Sequence, residues 1–262
     1  MGMETAIGEP VFSQDGGHWI PSIWATGPFR GLHGGAVSGL VVAVMEERAR
    51  REGWGVPLAS SVLILRPAPS APLETRVEVL RAGGRTAMLE STLWAGDKLI
   101  AKGTAAFVQA EPVPELARVA APPHSAFEDP STMKLWRSEG EGPAHTTLFN
   151  ALDIRDDGKG TKWGRLTRPM VPFEAPFASL FALADNGTPY WLSGTEFWPP
   201  RWGFPNIDIT VHVSRAPAGS WVGVEAASDW RPEGMGLTDS KLHDETRPLG
   251  RACQTVALVP RP

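Results

Sequence analysis

The chain is nearly without cysteine: Cys253 is the only one in 262 residues. That excludes an internal disulfide and any zinc or iron–sulfur site built on cysteine ligands. An excess of positive charge is also missing. Lys and Arg number 25 against 29 Asp and Glu, for a formal net charge of −4, so there is no electrostatic footprint for nucleic acid or an anionic membrane. Long apolar runs are absent. The longest, Ala36 to Met45, contains Ser38 and Gly39 and falls well short of the roughly 20 residues that span a bilayer. No G-x-G-x-x-G follows a strand-like segment, and no Walker sequence occurs. Gly35-Ala36-Val37-Ser38-Gly39 sets its serine one place late for a nucleophile elbow. Asp239 and His243 are four apart in a strand-like stretch, where that spacing makes no metal-binding face. Neither a metal nor a cofactor is expected. The segment MGMETAIGEP carries an acid and no base before Pro10, and Ala6 stands where myristoylation needs Ser or Thr. No signal peptide is therefore predicted, and a cytoplasmic location is expected.

What is present is ordinary globular composition, with 42% hydrophobic and 21% charged residues. The 28 Gly and 25 Pro together make about a fifth of the chain, below the roughly 25–30% that marks low complexity, and read as turns between short strands. Residues 28–50 read as a loop entering a helix. Val37, Leu40, Val41, Val44 and Met45 recur at helical spacing, and Glu46 to Arg51 close it in a solvated run. Ser60–Arg66, Thr75–Leu80, Thr86–Trp94 and Leu99–Val108 read as strands parted by Pro and Gly punctuation. Pro112, Pro114, Pro122, Pro123, Pro130 and Pro143 then sit among charges without a period, which predicts a linker with at most one short helix. A second helix is predicted over about 176–186, then strands near 206–215, 220–228, 236–243 and 249–259. One helix followed by a run of strands, twice, is an α+β signature.

The halves also match in register. Val62-Leu63-Ile64-Leu65-Arg66-Pro67 and Val211-His212-Val213-Ser214-Arg215-Ala216 are 149 residues apart, as are Leu93 and Leu242, and Ile100-Ala101-Lys102-Gly103 and Leu249-Gly250-Arg251-Ala252. A constant interval joining like elements points to internal duplication. His33-Gly34-Gly35 entering an apolar helix is similar to the opening of many hotdog thioesterases. Asn206 to Arg215 with Pro217 and Gly219, and then Gly250-Arg251-Ala252-Cys253-Gln254-Thr255, resembles the double-hotdog acyl-CoA thioesterases of type II. The resemblance covers about residues 25–108 and 170–260. It implies two tandem hotdog repeats, each a long helix wrapped by an antiparallel sheet. Residues 1–110 would form the N-terminal repeat, 111–165 a Pro-rich linker, and 166–262 a C-terminal repeat carrying the site. It implies an acyl-CoA or other acyl-thioester substrate lying between the two helices, with CoA entering at the repeat interface. It also allows a homo-oligomer through the sheets.

Asp185 stands out on its own. Phe177, Leu180, Phe181 and Ala184 form the apolar stripe of the second helix, and Asp185 takes the next place on it. A carboxylate there costs several kcal/mol unless paired or neutralised. A position near the helix C-terminus opposes its charge further, which suits a general base. The first helix carries no acid on its stripe. Gln254 likewise interrupts the apolar face made by Ala252, Val256 and Leu258 on the last strand, where Ala105 stands one repeat earlier. Asn206 follows Pro205 and alternates onto the polar face of its strand, so the residues alone read it as a turn. The resemblance implies a site made of Asp185, Asn206 and Gln254, with Asn where some relatives use Thr. Backbone N–H groups of Gly34 and Gly35 beside His33, at a helix N-terminus, would face the thioester carbonyl; close packing of the glycines is the other reading. Among 11 Trp against one Tyr, Trp198, Trp202 and Trp230 would either line an acyl or pantetheine channel or fill space over the sheet. The expected function is thioester hydrolysis by activated water. The alternative is a non-catalytic acyl-thioester-binding hotdog; a hydratase-type hotdog is disfavoured because the three positions hold no His.

Overall fold

A computed structural model describes residues 8–28, 31–118, 127–136, 148–198 and 200–260. The first seven residues and the linker prolines Pro122, Pro123 and Pro143 lie outside these. The chain opens with a hairpin, β1 (Phe12–Asp15) and β2 (His18–Pro21), and then enters α1 (Gly34–Glu52). Four strands follow: β3 (Val56–Ile64), β4 (Glu74–Gly83), β5 (Thr86–Ala95) and β6 (Lys98–Val108). Next come β7 (Lys134–Leu135), β8 (Leu152–Asp156), β9 (Thr161–Leu166), α2 (Pro176–Ala184) and α3 (Gly187–Leu192). The second set of strands is β10 (Trp202–Gly203), β11 (Asp208–Val213), β12 (Val222–Arg231), β13 (Met235–Asp244), β14 (Pro248–Ala257) and β15 (Val259–Pro260).

Eleven strands make one antiparallel sheet in the order β4-β5-β6-β3-β11-β14-β13-β12-β9-β8-β7. Reading outward from the centre, each half uses its strands in the same sequence: first, fourth, third, second. The halves join through β3 and β11, where Ser61 pairs with Thr210 and their hydroxyls lie 2.9 Å apart. These two residues are 149 apart, so each faces its own counterpart and a pseudo-two-fold axis passes between them. The interval found in the sequence is the interval of that axis.

Residues 152–165, read from sequence as linker, instead belong to β8 and β9 of the sheet, with β9 pairing to β12. Charge hid them: Asp153 binds Arg155 and Arg165, and Lys162 binds Asp156, so polar strand residues satisfy one another. The α1 stripe is also wider than its period suggests. Val42 and Ala43 are fully buried, while Val44 is only partly so. The sheet packs on one side of α1 and α2 on the other, so nearly the whole circumference is core.

The two helices pack against each other through small residues. A Cβ on Gly35 would lie 2.8 Å from the Ala182 carbonyl oxygen, and one on Gly39 3.2 Å from that of Ala178. At the far end Glu46 of α1 closes the start of α2. Its Oε1 accepts the N–H of Phe177 at 3.2 Å and its Oε2 that of Ala178 at 3.1 Å, serving two of the N–H groups that a helix start leaves without partners. Burial pushes its pKa from 4.5 up to about 7, against the pull of those two N–H groups. The folded state therefore holds this proton more firmly than the unfolded one. The contribution to stability is complete below about pH 4.5 and is lost as pH rises through about 7. A shift of that size corresponds to about 3 kcal/mol. Urea unfolding is expected to show stability falling from about pH 5 to about pH 8, and the fall is smaller in Glu46→Gln whatever its absolute stability. An equal fall in both proteins would assign it to other groups.

Candidate active site

Pro189 decides where α2 ends. Proline has no N–H to donate, and its ring clashes with the carbonyl four residues back, which here is that of Asp185. The helix therefore stops at Ala184 rather than running through 186, and a new turn, α3, begins at Gly187. The Asp185 carbonyl, left without a helical partner, accepts from Gln254 Nε2 at 3.1 Å. Asn186, wholly buried, caps the broken end by donating its Nδ2 to the Ala182 and Leu183 carbonyls at 3.0 and 3.2 Å.

The break holds the Asp185 side chain, 4% exposed, against the first turn of α1. Oδ1 accepts from Asn206 Nδ2 at 2.8 Å and from Gln254 Nε2 at 3.2 Å. Oδ2 lies 3.3 Å from His33 Nδ1, and a Cβ on Gly34 would come within 3.2 Å of it. The sequence set Asp185 only against the negative end of its own helix. In space the positive end of α1 faces the same carboxylate, and the two dipoles oppose each other. His33 is the N-cap of α1, with its Nδ1 accepting the Gly35 N–H at 3.0 Å. Nδ1 has a single lone pair, and while the Gly35 N–H takes it Nδ1 has no hydrogen to give Oδ2; a hydrogen bond between them needs Nδ1 to carry a proton and to release Gly35.

Gly35 is corrected by the same bond. Its N–H is committed to His33, so it does not point at a ligand, and its missing Cβ serves the approach to Ala182. Gly34 does border open space, and as the first residue of α1 its N–H has no intrahelical partner.

Asn206 reaches the site by a change of register. Along β11 and β14, Thr210 faces Cys253, yet Asn206 faces Val256, so four steps on one strand meet three on the other. One extra residue turns the following side chains to the opposite face. Ile207, expected in the core, is 49% exposed, and Asn206, expected on the polar face, points at Asp185. The remaining amide oxygens, Asn206 Oδ1 and Gln254 Oε1, are buried without a partner among the described residues. They are acceptors beside a carboxylate, an arrangement that can hold a water by its hydrogens.

A cavity of about 980 Å³ opens beside this group, bordered by His33, Gly34, Val37, Asp185, Asn206 and the segments 64–68 and 196–207, with Pro199 outside the description. Of α1 it touches nothing beyond Val37, and of α2 nothing but Asp185 at its end. This corrects the expectation that an acyl group lies between the helices. The contacts of Gly35 and Gly39 leave no gap there, and the Met170 methyl sits where a Gly39 side chain would be. Trp198 and Trp202 border the cavity. Trp230 stands behind the wall, with ring centres 6.4 Å from Trp202 and 6.2 Å from Phe204. The exposed Arg66 and Arg201 stand on its border. Among the described residues no cluster suited to a metal ion occurs, and no helix is long and apolar enough to cross a membrane.

Sequence reasoning missed Pro189 and Glu46. A proline just past a carboxylate at a helix end was the available signal for the first; nothing local marked the second. The Arg215 to Gly219 motif proves structural. Arg215 pairs with fully buried Asp244, which also accepts from Ala218 N and Thr246. Burial alone would raise the Asp244 carboxyl, but Arg215 and Thr246 hold it well below the usual range.

Two family models match the chain, one described as the acyl-CoA thioesterase N-terminal domain over residues 20–108 and one as the acyl-CoA thioesterase C-terminal domain over 110–258. No curated protein matches it. Among solved structures the chain resembles a candidate thioesterase from Novosphingobium aromaticivorans, with 19% identity, 97% of this chain and 100% of that one covered, and a TM-score of 0.71. A protein from Alicyclobacillus acidocaldarius described as having the hot dog fold gives 18%, 96% of each chain and 0.70. An acyl-CoA thioesterase II from Mycobacterium marinum gives 16%, 88% and 90%, and 0.65. Identities this low speak to the fold, which is the α+β hotdog.

Since a Cβ at Gly35 would meet Ala182 backbone and Asp185 Cβ at 2.8 and 3.0 Å, Gly35→Val is expected to force α1 and α2 apart. Overpacking of this kind costs about 1–3 kcal/mol, a fall in Tm of roughly 2–12 °C, readable by calorimetry. An unchanged Tm would mean that the helix contact is looser than the geometry states.

Proposed function

The chain belongs to the acyl-CoA thioesterase family and is a thioester hydrolase, and from that premise we propose that it cleaves an acyl-CoA with water activated by Asp185. The observation that carries this reading is the buried carboxylate of Asp185 at the cavity, with two amide donors on one oxygen and, beside it, two amide acceptors without a partner among the described residues. A water that donates one hydrogen to Asn206 Oδ1 or Gln254 Oε1 and the other to Asp185 would give that second proton to Asp185 as its oxygen bonds to the thioester carbon. The carbonyl oxygen, gaining charge, would be met by the Gly34 N–H at the start of α1. Collapse of the tetrahedral intermediate breaks the C–S bond, and the proton returns from Asp185 to the thiolate, leaving free acid and CoA. Asn in place of a hydroxyl residue suits a role in holding the water, since an amide cannot attack. Arg66 and Arg201, exposed on the cavity border, fit the phosphates of CoA.

Asp185→Asn keeps the volume and removes the base. Free-thiol release from acyl-CoA substrates is expected to fall at least roughly 100-fold, about 2.7 kcal/mol of barrier. Turnover unaffected by the change would place the base elsewhere. No release from any thioester, with saturable binding of one, would favour the binding-module alternative. Arg201→Ala is expected to raise KM roughly two- to fivefold for CoA thioesters, in the range of exposed ion pairs, and to leave N-acetylcysteamine thioesters unaffected. An equal rise for both would remove Arg201 from phosphate binding.

A further inference from the structure

Asp185 and Asn206 border the cavity, but Gln254 does not. Its Nε2 spends its hydrogens on Asp185, at the backbone carbonyl and at Oδ1. The other end of the amide faces Gly187, the first residue of α3. A Cβ built on Gly187 would stand 2.6 Å from Ser240 Oγ, 3.3 Å from the Thr238 methyl and 3.4 Å from Gln254 Oε1. Ser240 Oγ and Gln254 Oε1 are thus apart by no more than the sum of their two distances, about 6 Å. Strand pairing brings them there. Thr238 of β13 lies opposite Gln254 of β14, and Ser240 lies diagonally beside it, buried on the same face.

Both oxygens are buried without a hydrogen-bond partner among the described residues. One belongs to a hydroxyl with a hydrogen to give; the other is an acceptor. Thr238 turns only its methyl to this point, and its hydroxyl lies between those of Thr188 and Ser228, at 2.8 and 2.7 Å. Resting on the hydrolase reading, we propose that Ser240 is a positioning residue for the reaction, its hydroxyl donating to Gln254 Oε1. A turn between staggered rotamers carries a serine Oγ by roughly 2 Å, and a small swing of the amide closes the rest. The two ends of an amide are nearly equal in shape, so packing does not choose between them; hydrogen-bond partners do. With Ser240 on Oε1, Nε2 stays toward Asp185. A flipped amide would lose that bond and set an oxygen against two acceptors. Gln254 Oε1 is then taken, and the water gives its hydrogen to Asn206 Oδ1, on the cavity side.

The N-terminal repeat supplies a control. Ser91 lies 149 residues before Ser240 and is equally buried, its Oγ likewise without a partner among the described residues, but Ala105 stands where Gln254 would. The chain has three glutamines, and Gln14 and Gln109 are exposed. In NMR of protein labelled at its glutamine side chains, the slowly exchanging amide is therefore that of Gln254. Ser240→Ala is expected to speed its exchange roughly fivefold, the worth of one net hydrogen bond. It is also expected to lower kcat roughly fivefold and leave KM within about twofold, measured on the fastest of acetyl-, octanoyl- and phenylacetyl-CoA. Ser91→Ala is expected to change none of these. In a Gln254→Met background, Ser240→Ala is expected to lower kcat no further. Unchanged amide exchange in Ser240→Ala would overturn the inference. So would equal effects from Ser91→Ala, a rise in KM alone, or the same fall in kcat with Gln254 replaced. If Gln254→Met does not fold, the exchange and the Ser91 comparison decide. Should no thioester be cleaved, the hydrolase reading fails, and the exchange alone upholds or overturns the bond between Ser240 and Gln254.

Discussion

Gly35 of α1 and Ala182 of α2 approach so closely that no side chain fits between them, and most of the site follows from that contact. It brings the start of one helix against the end of the other. His33, capping α1, and Asp185, ending α2, become neighbours although they come from different repeats. Neither repeat contains the site. The first supplies the cap and the helix start, the second the acid and both amides, and the antiparallel helix pair joins them. The same approach closes the space between the helices and moves the cavity out to the segment before β11.

Much of this was legible in the sequence, and the parts that were not share a cause. Asp185 and Gln254 could be found because each breaks an apolar pattern within its own element, and regular elements keep their period. Asn206 could not be found from the residues alone. Its face depends on one extra residue against β14, and a register change is a property of two strands together. β8 and β9 were hidden because charged residues, paired within β8 and across to β9, outnumber the apolar ones; Leu152 and Ile154 alternate, but over too few positions to stand out. Glu46 read as part of a solvated run, yet it is buried, since only the packed structure shows that α2 begins above it. Local patterns report local burial; the partner strand and the partner helix report the rest.

The two ends of the helix pair treat a carboxylate in different ways. At one end Glu46 accepts two backbone N–H groups of α2 and is fully occupied. At the other, Asp185 meets the start of α1, where His33 has taken the Gly35 N–H, and it keeps one oxygen toward the imidazole and the cavity. The pseudo-two-fold arrangement therefore sets an acid against the start of the opposite helix twice. Of the two, only Asp185 borders the cavity.

The break at Pro189 has a further consequence. By removing the N–H that would have closed the helix, it creates a buried carbonyl on Asp185 that Gln254 must satisfy. Any lineage that lost this glutamine would leave that carbonyl orphaned inside the fold, whatever became of its chemistry. Selection for a stable chain and selection for a working site therefore fall on the same side chain. Its persistence among descendants would not, by itself, be a record of catalysis.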